Sequence, residues 1–426
     1  MSACGCDDIN NNNDCDTGNE LMPIEDALAL LLNSAKPVTA TEILPLEQAQ
    51  GRILAEDLSS NIQVPPHDNS AMDGYAVHSA DLAGDKEVLL PVSQRIPAGT
   101  MGTALQKGTA ARIFTGAPIP PDADAVIMQE VCTAINNEKE GEIVKSGVKI
   151  TGPIPLGKNI RKAGEDIDIG TTILKTGIKL KPQDIGLAAS VGIGEISVFK
   201  RLKVGVFFTG DELREPGEPL EPGQIYNSNR HTMRGLLHNL NCEVIDLGTV
   251  EDTLEATKSA MLKAARQADL VMTSGGVSVG EEDYIRIALE ELGKLDMWRI
   301  NIKPGKPLAF GNIDGKPFLG MPGNPVSVFA TFCIFARPFI LKKQGASSTQ
   351  ANCFKVPANF TWAKAGRRHE YVRARAVNGK IELFPHQGSG VLTSTSWANG
   401  LAFIPADTTV KPDNMIEFTP FSELGI

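Results

Sequence analysis

Aromatic residues make up only 5% of the 426 residues, histidine occurs six times, and cysteine seven times. The cysteines are odd in number and scattered (4, 6, 15, 132, 242, 333, 353). That is no disulfide framework, and it fits the reducing cytoplasm. His67 and His78 lack a paired ligand spacing, which argues against a His-ligated zinc. There is no Gly-x-Ser-x-Gly elbow, no dinucleotide fingerprint and no P-loop lysine, and none of the cysteines carries a nucleophile signature. A basic excess is missing too. With 51 acidic against 41 basic residues the net charge is −10, so the footprint of a general nucleic-acid binder is absent. No basic segment followed by an apolar one opens the chain, so no cleaved secretion signal is expected. The most apolar long stretch, 325–341, is interrupted by Arg337 and Pro338 and followed by Lys342 and Lys343, the pattern of a buried helix rather than a membrane span.

What is present describes a globular protein of two to four domains: 42% hydrophobic and 22% charged residues over a length too great for one core. Residues 1–20 carry five acids and no Lys or Arg, together with Cys4, Cys6 and Cys15 at spacings unlike a metal site, and form an expected disordered tail. Helical patterns at 23–32 and 45–55, and again at 182–191, suggest a mixed helical unit built from 21–60 and 162–199. Between them, 61–161 alternates short apolar runs with Gly, Pro and Asn turns, a β-rich insert. From 200 to 345 strands at 203–208, 243–247 and 270–273 alternate with helices at 229–240, 254–266 and 283–292, which argues for an α/β domain of parallel sheet flanked by helices. Short strands over 346–426 indicate a small all-β, barrel-like C-terminal domain.

In such sheets ligands bind beyond the C-terminal strand ends. There the sequence places Thr-Ser-Gly-Gly-Val-Ser-Val-Gly-Glu-Glu-Asp, residues 273–283. Ser274, Gly275, Gly276 and Ser278 suit an anion cradle of backbone amides. Asp283, and Glu212 and Asp252 at two other strand ends, would repel an anion unless a cation shares the crevice. A hard divalent ion such as Mg²⁺, bridging carboxylates and substrate phosphates, resolves the contradiction, with Glu212 and Asp283 as its protein ligands. The simpler alternative is a tight turn with solvated acids favourable to a helix dipole.

Two further turns carry basic or amide character. Lys303 and Lys306 flank Pro304-Gly305 downstream of Arg299, and Gly-Met-Pro-Gly-Asn-Pro, with Pro322 and Pro325, opens the apolar helix. Singly each reads as turn chemistry; together they suggest an oxyanion pocket beside the phosphate loop. In the insert, Asp68, Asn69, Ser70 and Asp73 crowd one segment and Thr115 and Arg161 stand on others, with Asp166 just beyond its end.

The ordered set DNSAMDGYA, RIFTGAPIP, GEDI, TGDEL, SGGVSVGEEDY, KPGKP and GMPGNPVS closely resembles the molybdopterin molybdenumtransferases, the MoeA proteins related to the gephyrin E domain. The resemblance runs from about residue 22 to the C-terminus. It implies a cytoplasmic homodimer with the active site between subunits, which inserts molybdate into adenylylated molybdopterin with Mg²⁺ and releases AMP. It names the molybdopterin adenylyltransferase as a candidate partner. On this resemblance Asp73, Thr115, Arg161, Asp166, Glu212, Asp252, Asp283 and Lys303 are expected at the chemistry, and Arg373 and Ser389 at molybdate. Asn227 stands where relatives often carry Asp, which removes a charge near the expected nucleotide. Rival expectations are an adenylyltransferase, which shares the α/β domain, and a non-catalytic scaffold.

Overall fold

The computed structural model describes residues 21–135, 146–276 and 284–426. Its centre is a six-stranded sheet in which Lys203–Thr209 lies between Glu243–Val250 and Leu270–Ser274, followed by Lys316–Met321, Pro307–Ile313 and Gly293–Arg299. The pairings from Glu243–Val250 across to Lys316–Met321 are parallel, as the alternating sequence predicts. Pro307–Ile313 alone runs against its neighbours, because Lys316–Met321 follows it through the short Asp314-Gly315 turn. Such a turn can return only an antiparallel strand.

Both faces of this sheet are covered. Val204, Val206 and Phe208 point to one side, against Ile24–Ser34, Ser228–Asn239 and the apolar helix that begins at Pro325; Phe207 and Val271 point to the other, against Leu254–Gln267 and Tyr284–Leu292. Each fully buried Phe or Leu contributes about 1.5–3 kcal/mol. The helix over Pro325–Lys343 is long and apolar enough to cross a membrane, but most of it is buried inside the molecule. It is not one regular helix. Phe332–Ala336 forms a π-turn between Pro325–Thr331 and Arg337–Lys343. Pro338 has no N–H to give and its ring crowds the carbonyl one turn back, so the ladder slips just before it.

The C-terminal strands Phe354–Pro357, His369–Val377, Lys380–Leu383, Gly400–Ile404 and Met415–Pro420 curl into a barrel-like sheet, closed by the bridge Ala358–Ile381. Ile302–Lys303 joins this sheet in parallel with His369 and Glu370. That two-residue strand ties the Lys-Pro-Gly-Lys turn to the barrel. Thr41–Pro45 pairs with Glu195–Phe199, so the two helical segments on either side of the insert are stitched together. The expected helix over 45–55 shrinks to Leu46–Ala49: Gly51 takes φ +77°, and Ile53 and Leu54 bridge Lys179 and Val198. The insert holds its own six-stranded sheet, with a core around Tyr75, Val77, Leu90, Ile127 and Val148.

Candidate functional site

Three neighbouring parallel strands release their chains at one place. Phe208 is opposite Ser274, and Ser274 is opposite Met321, so the turns beginning at Thr209, Gly275 and Pro322 are adjacent. The chain leaves Lys203–Thr209 toward Glu243–Val250 and later leaves Leu270–Ser274 in the opposite direction. This is the switch point at which open α/β sheets bind ligands.

The glycines at this point are required by space. Gly275 has φ +101°, and a Cβ there would lie 2.4 Å from the Thr209 carbonyl oxygen; Gly276 has φ +64°, with a Cβ 2.9 Å from Thr209 Oγ1. The Ser274 hydroxyl donates to the Pro322 carbonyl at 2.8 Å. Gly305, at φ +105°, packs against Thr331, with Pro322 next to it, so the Lys-Pro-Gly-Lys turn does lie beside the Met-Pro-Gly-Asn-Pro turn. The two stretches that sequence alone could only group by chemistry are thus one surface. Ser278, Glu281, Glu282 and Asp283 lie outside the described residues.

On the other flank of Lys203–Thr209 the acids gather. Asp211 Oδ1 accepts the backbone N–H of Asp252 at 3.2 Å, which holds the Asp252 turn against the Glu212 turn. The Glu212 carboxylate folds back over Gly210, where an added Cβ would lie 2.6 Å from Oε2. A cleft of about 510 Å³ opens here, lined by Gly210, Asp211, Arg230, Thr249 and Glu251 among others. Arg230 is ion-paired to Glu215 at 2.7 Å and Asp246 at 2.9 Å, and these partners hold its guanidinium above its ordinary range, the Asp246 hydrogen bond first. Among the described residues no cluster of three metal-ligating side chains occurs. Glu212 with Asp252 nearby is nonetheless a donor set that Mg²⁺ accepts, since that ion uses one or two carboxylates and takes the rest from substrate and water.

A larger cavity, about 870 Å³, lies where residues 177–184 meet Arg337 and 422–425. It contains none of the motif residues. The smaller cleft borders the strand ends through Gly210 and Asp211, while Glu212, Asp252 and the Gly275-Gly276 turn lie outside its lining; the chemistry selects the strand ends themselves.

Other expected residues fall in two groups. In the insert, the Thr115 amide and hydroxyl both donate to Asp73 Oδ1 at 2.8 Å. These bonds, the amide first, keep the exposed Asp73 carboxyl below its ordinary value of 3.8. Arg161 pairs in a strand with Asn69, and the Asp166 amide donates to Val64. Lys162 and the Ala163 amide likewise hold the Asp68 carboxyl down. Arg95 and Arg112 each lie 4.6 Å from the ring centre of Phe114, next to Thr115, a positive platform that sequence reading missed.

Because the folded value of Asp73 is depressed, its bonds to Thr115 are complete above pH 3.8 and are lost as pH falls through the lower folded value. Thr115→Val removes the hydroxyl donor and keeps the amide. The Asp73 titration midpoint, followed by carboxyl NMR, is expected to move up toward 3.8; an unmoved midpoint would contradict the assignment.

In the C-terminal part, Lys303 pairs with the buried Glu370 at 3.3 Å. Arg373 is only 1% exposed and donates to Ser394 Oγ and the Gly388 carbonyl; burial pushes its pKa down to about 10. The Ser389 carbonyl accepts the Val326 amide at 3.0 Å. That amide, expected from sequence to face an anion beyond Pro325, is already satisfied by the chain itself. Arg373 therefore shapes the 387–389 loop, and that loop seals the start of the apolar helix.

Asn227 is also resolved locally. It is 1% exposed, caps Ser228–Asn239 by accepting the Arg230 amide at 3.1 Å, and donates to Thr249 Oγ1 at 3.2 Å. An aspartate could cap the same amide, with the Thr249 hydroxyl turned to donate. The change from the common Asp therefore costs little in the fold.

The chain matches known proteins over most of its length. Residues 22–192 match the profile of the MoeA N-terminal region (domain I and II), 205–342 a probable molybdopterin binding domain, and 355–421 the MoeA C-terminal region (domain IV). A molybdopterin molybdenumtransferase of Haemophilus influenzae is 44% identical over 95% of this chain and 100% of its own length. Molybdopterin molybdenumtransferase 2 of Mycobacterium tuberculosis is 34% identical over 89% of this chain and 94% of its own. The crystal structure of a molybdopterin biosynthesis MoeA protein from Pyrococcus horikoshii OT3 superposes with a TM-score of 0.81 at 31% identity, covering 94% of this chain and 100% of that one.

Proposed function

Because the chain belongs to the MoeA family, we propose that it inserts molybdate into adenylylated molybdopterin and releases AMP. The observation that carries this reading is the meeting of Thr209, Gly275-Gly276 and the Pro322 turn at the switch point of the sheet. The two positive-φ glycines let a phosphate approach the backbone of the turn beyond the Gly275 amide, which itself donates to the Met321 carbonyl, and the adjoining Lys303–Lys306 turn suits a second oxyanion, molybdate.

Glu212 and Asp252, with Asp283 from the neighbouring loop, would hold Mg²⁺, which when bound neutralises charge on the phosphoanhydride. The chain itself contributes positioning. The glycine turn orients the phosphates and the Lys303 turn places molybdate beside the dithiolene. A molybdate oxygen attacks the molybdopterin-side phosphorus in line, forming that P–O bond as the anhydride bond to AMP breaks. The dithiolene sulfurs then replace the phosphate oxygen and one oxo ligand on molybdenum, the oxo leaving as water with the two thiol protons. Purified protein given adenylylated molybdopterin, molybdate and Mg²⁺ should yield AMP and a product that activates an apo-molybdoenzyme. Consumption of ATP with unmodified molybdopterin would instead identify an adenylyltransferase, and no turnover of either would leave a scaffold.

The sequence resemblance points to a site shared between two copies. Asp73 bonds Thr115, Arg161 pairs with Asn69 and Asp166 with Val64, all inside their own lobe. We assign that lobe to the crevice of a second copy in a homodimer. Asp73→Asn and Glu212→Gln homodimers should each be nearly inactive. After mixing and subunit exchange, half the dimers would carry one intact site of two, restoring about a quarter of wild-type activity. No recovery despite demonstrated exchange would place all the acids in one subunit.

A further inference from the structure

Asn229 had no place among the residues singled out by motif, yet it joins two of the three turns. It stands in the first turn of Ser228–Asn239. Its side-chain Nδ2 donates to Ser274 Oγ at 3.0 Å and to the Gly323 carbonyl at 2.7 Å. Ser274 Oγ passes its own proton on to the Pro322 carbonyl. The amide orientation is unambiguous, since Gly323 O can only accept.

Both N–H groups of the amide are therefore used, and its carbonyl Oδ1 faces away from them. That oxygen is buried and has no partner among the described residues. A second orphan accompanies it: Thr209 Oγ1, on a residue 4% exposed, lies under the two glycines without a partner among the described residues. Buried polar atoms are nearly always satisfied, so an unsatisfied oxygen on the side chain that joins the Ser274 and Gly323 turns needs an explanation.

We infer that Asn229 is a substrate-positioning residue, whose Oδ1 accepts a hydrogen bond from a neutral N–H or O–H group of the bound molecule. The polarity decides the class of contact. An ionised phosphate or molybdate offers only acceptor oxygens, so it cannot satisfy Oδ1. The contact belongs to an amide, amino or hydroxyl group elsewhere on the same substrate. Asn229 thus recognises the uncharged part of the molecule while clamping the Ser274 and Gly323 turns that hold its charged part. This rests on the function proposed above.

The test compares wild type, Asn229→Ala and Asn229→Asp for equilibrium binding of molybdopterin, alongside thermal midpoints. Asn229→Ala is expected to weaken binding about 10–30-fold, an effect of the size left by an unmatched polar contact. Asn229→Asp keeps an acceptor and loses both donors, so it should bind more tightly than the alanine variant and less tightly than wild type. A purely structural role would lower the thermal midpoint and leave the affinity of the folded protein unchanged. That result, or equal binding by all three, overturns the inference. Should Asn229→Ala fail to fold, the aspartate variant carries the same comparison. Wild type that does not bind molybdopterin at all overturns the functional reading together with this one.

Discussion

Gly275→Ala is expected to lower the rate of molybdate insertion by about 10²–10³-fold, the loss that follows when a preorganised anion cradle is displaced. Two independent costs combine at this position. The backbone sits at φ +101°, where a side chain is strained, and the new Cβ would meet the Thr209 carbonyl at 2.4 Å. The obstacle is backbone of a central strand, which cannot yield, so the turn must. Gly276→Ala should be milder. Its φ of +64° is tolerated better, and its nearest obstacle, Ile285 Cγ1 at 2.8 Å, belongs to a side chain that can shift. Gly217→Ala supplies the control, because it has φ +100° with nothing within 4 Å of its Cβ. It should cost some stability and leave kcat alone. Equal activity of the Gly275 and Gly217 variants would show that the turn does not hold the reacting phosphates.

The α/β alternation was legible because each strand buries both faces and each helix one stripe, and both periods survive in the sequence. The glycine turn was legible for the same reason: only glycine accommodates φ +101° against a neighbouring strand, so the constraint is written in the residue type. What stayed hidden is what depends on distant partners. Ile302–Lys303 is too short to show a period, and its pairing with His369 and Glu370 is set by the barrel. Arg373 looks in sequence like any surface arginine, and its burial against Ser394 and Gly388 appears only once the 387–389 loop folds over it. Asn229 is a third case. Its neighbour Asn227 carries the helix-cap signal, and nothing in the residue order says that the next asparagine reaches across to Ser274 and Gly323. The signal that could have found it was position: a polar residue in the first turn of a helix leaving the switch-point strand.

Glu212→Gln is the second large effect, expected to lower kcat by about 10²–10³-fold, as for loss of one charged group that stabilises the transition state. Stability should hardly change, because the side chain is exposed and glutamine keeps its shape. The geometry explains why this acid stands out among the acids of the lip. Its carboxylate lies folded over Gly210, at φ +144°, beside the end of the central strand, while Asp211 is engaged with the Asp252 amide. Asp211 thus organises the two acid turns, and Glu212 offers its charge to the crevice. If that charge holds Mg²⁺, the variant should need about tenfold more Mg²⁺ for half-maximal rate, and high Mg²⁺ should recover part of the loss. A rate defect indifferent to Mg²⁺ would instead make Glu212 a contact to substrate alone. An unchanged kcat would remove it from the chemistry, and would move the search for the cation's ligands to Asp252 and the neighbouring loop.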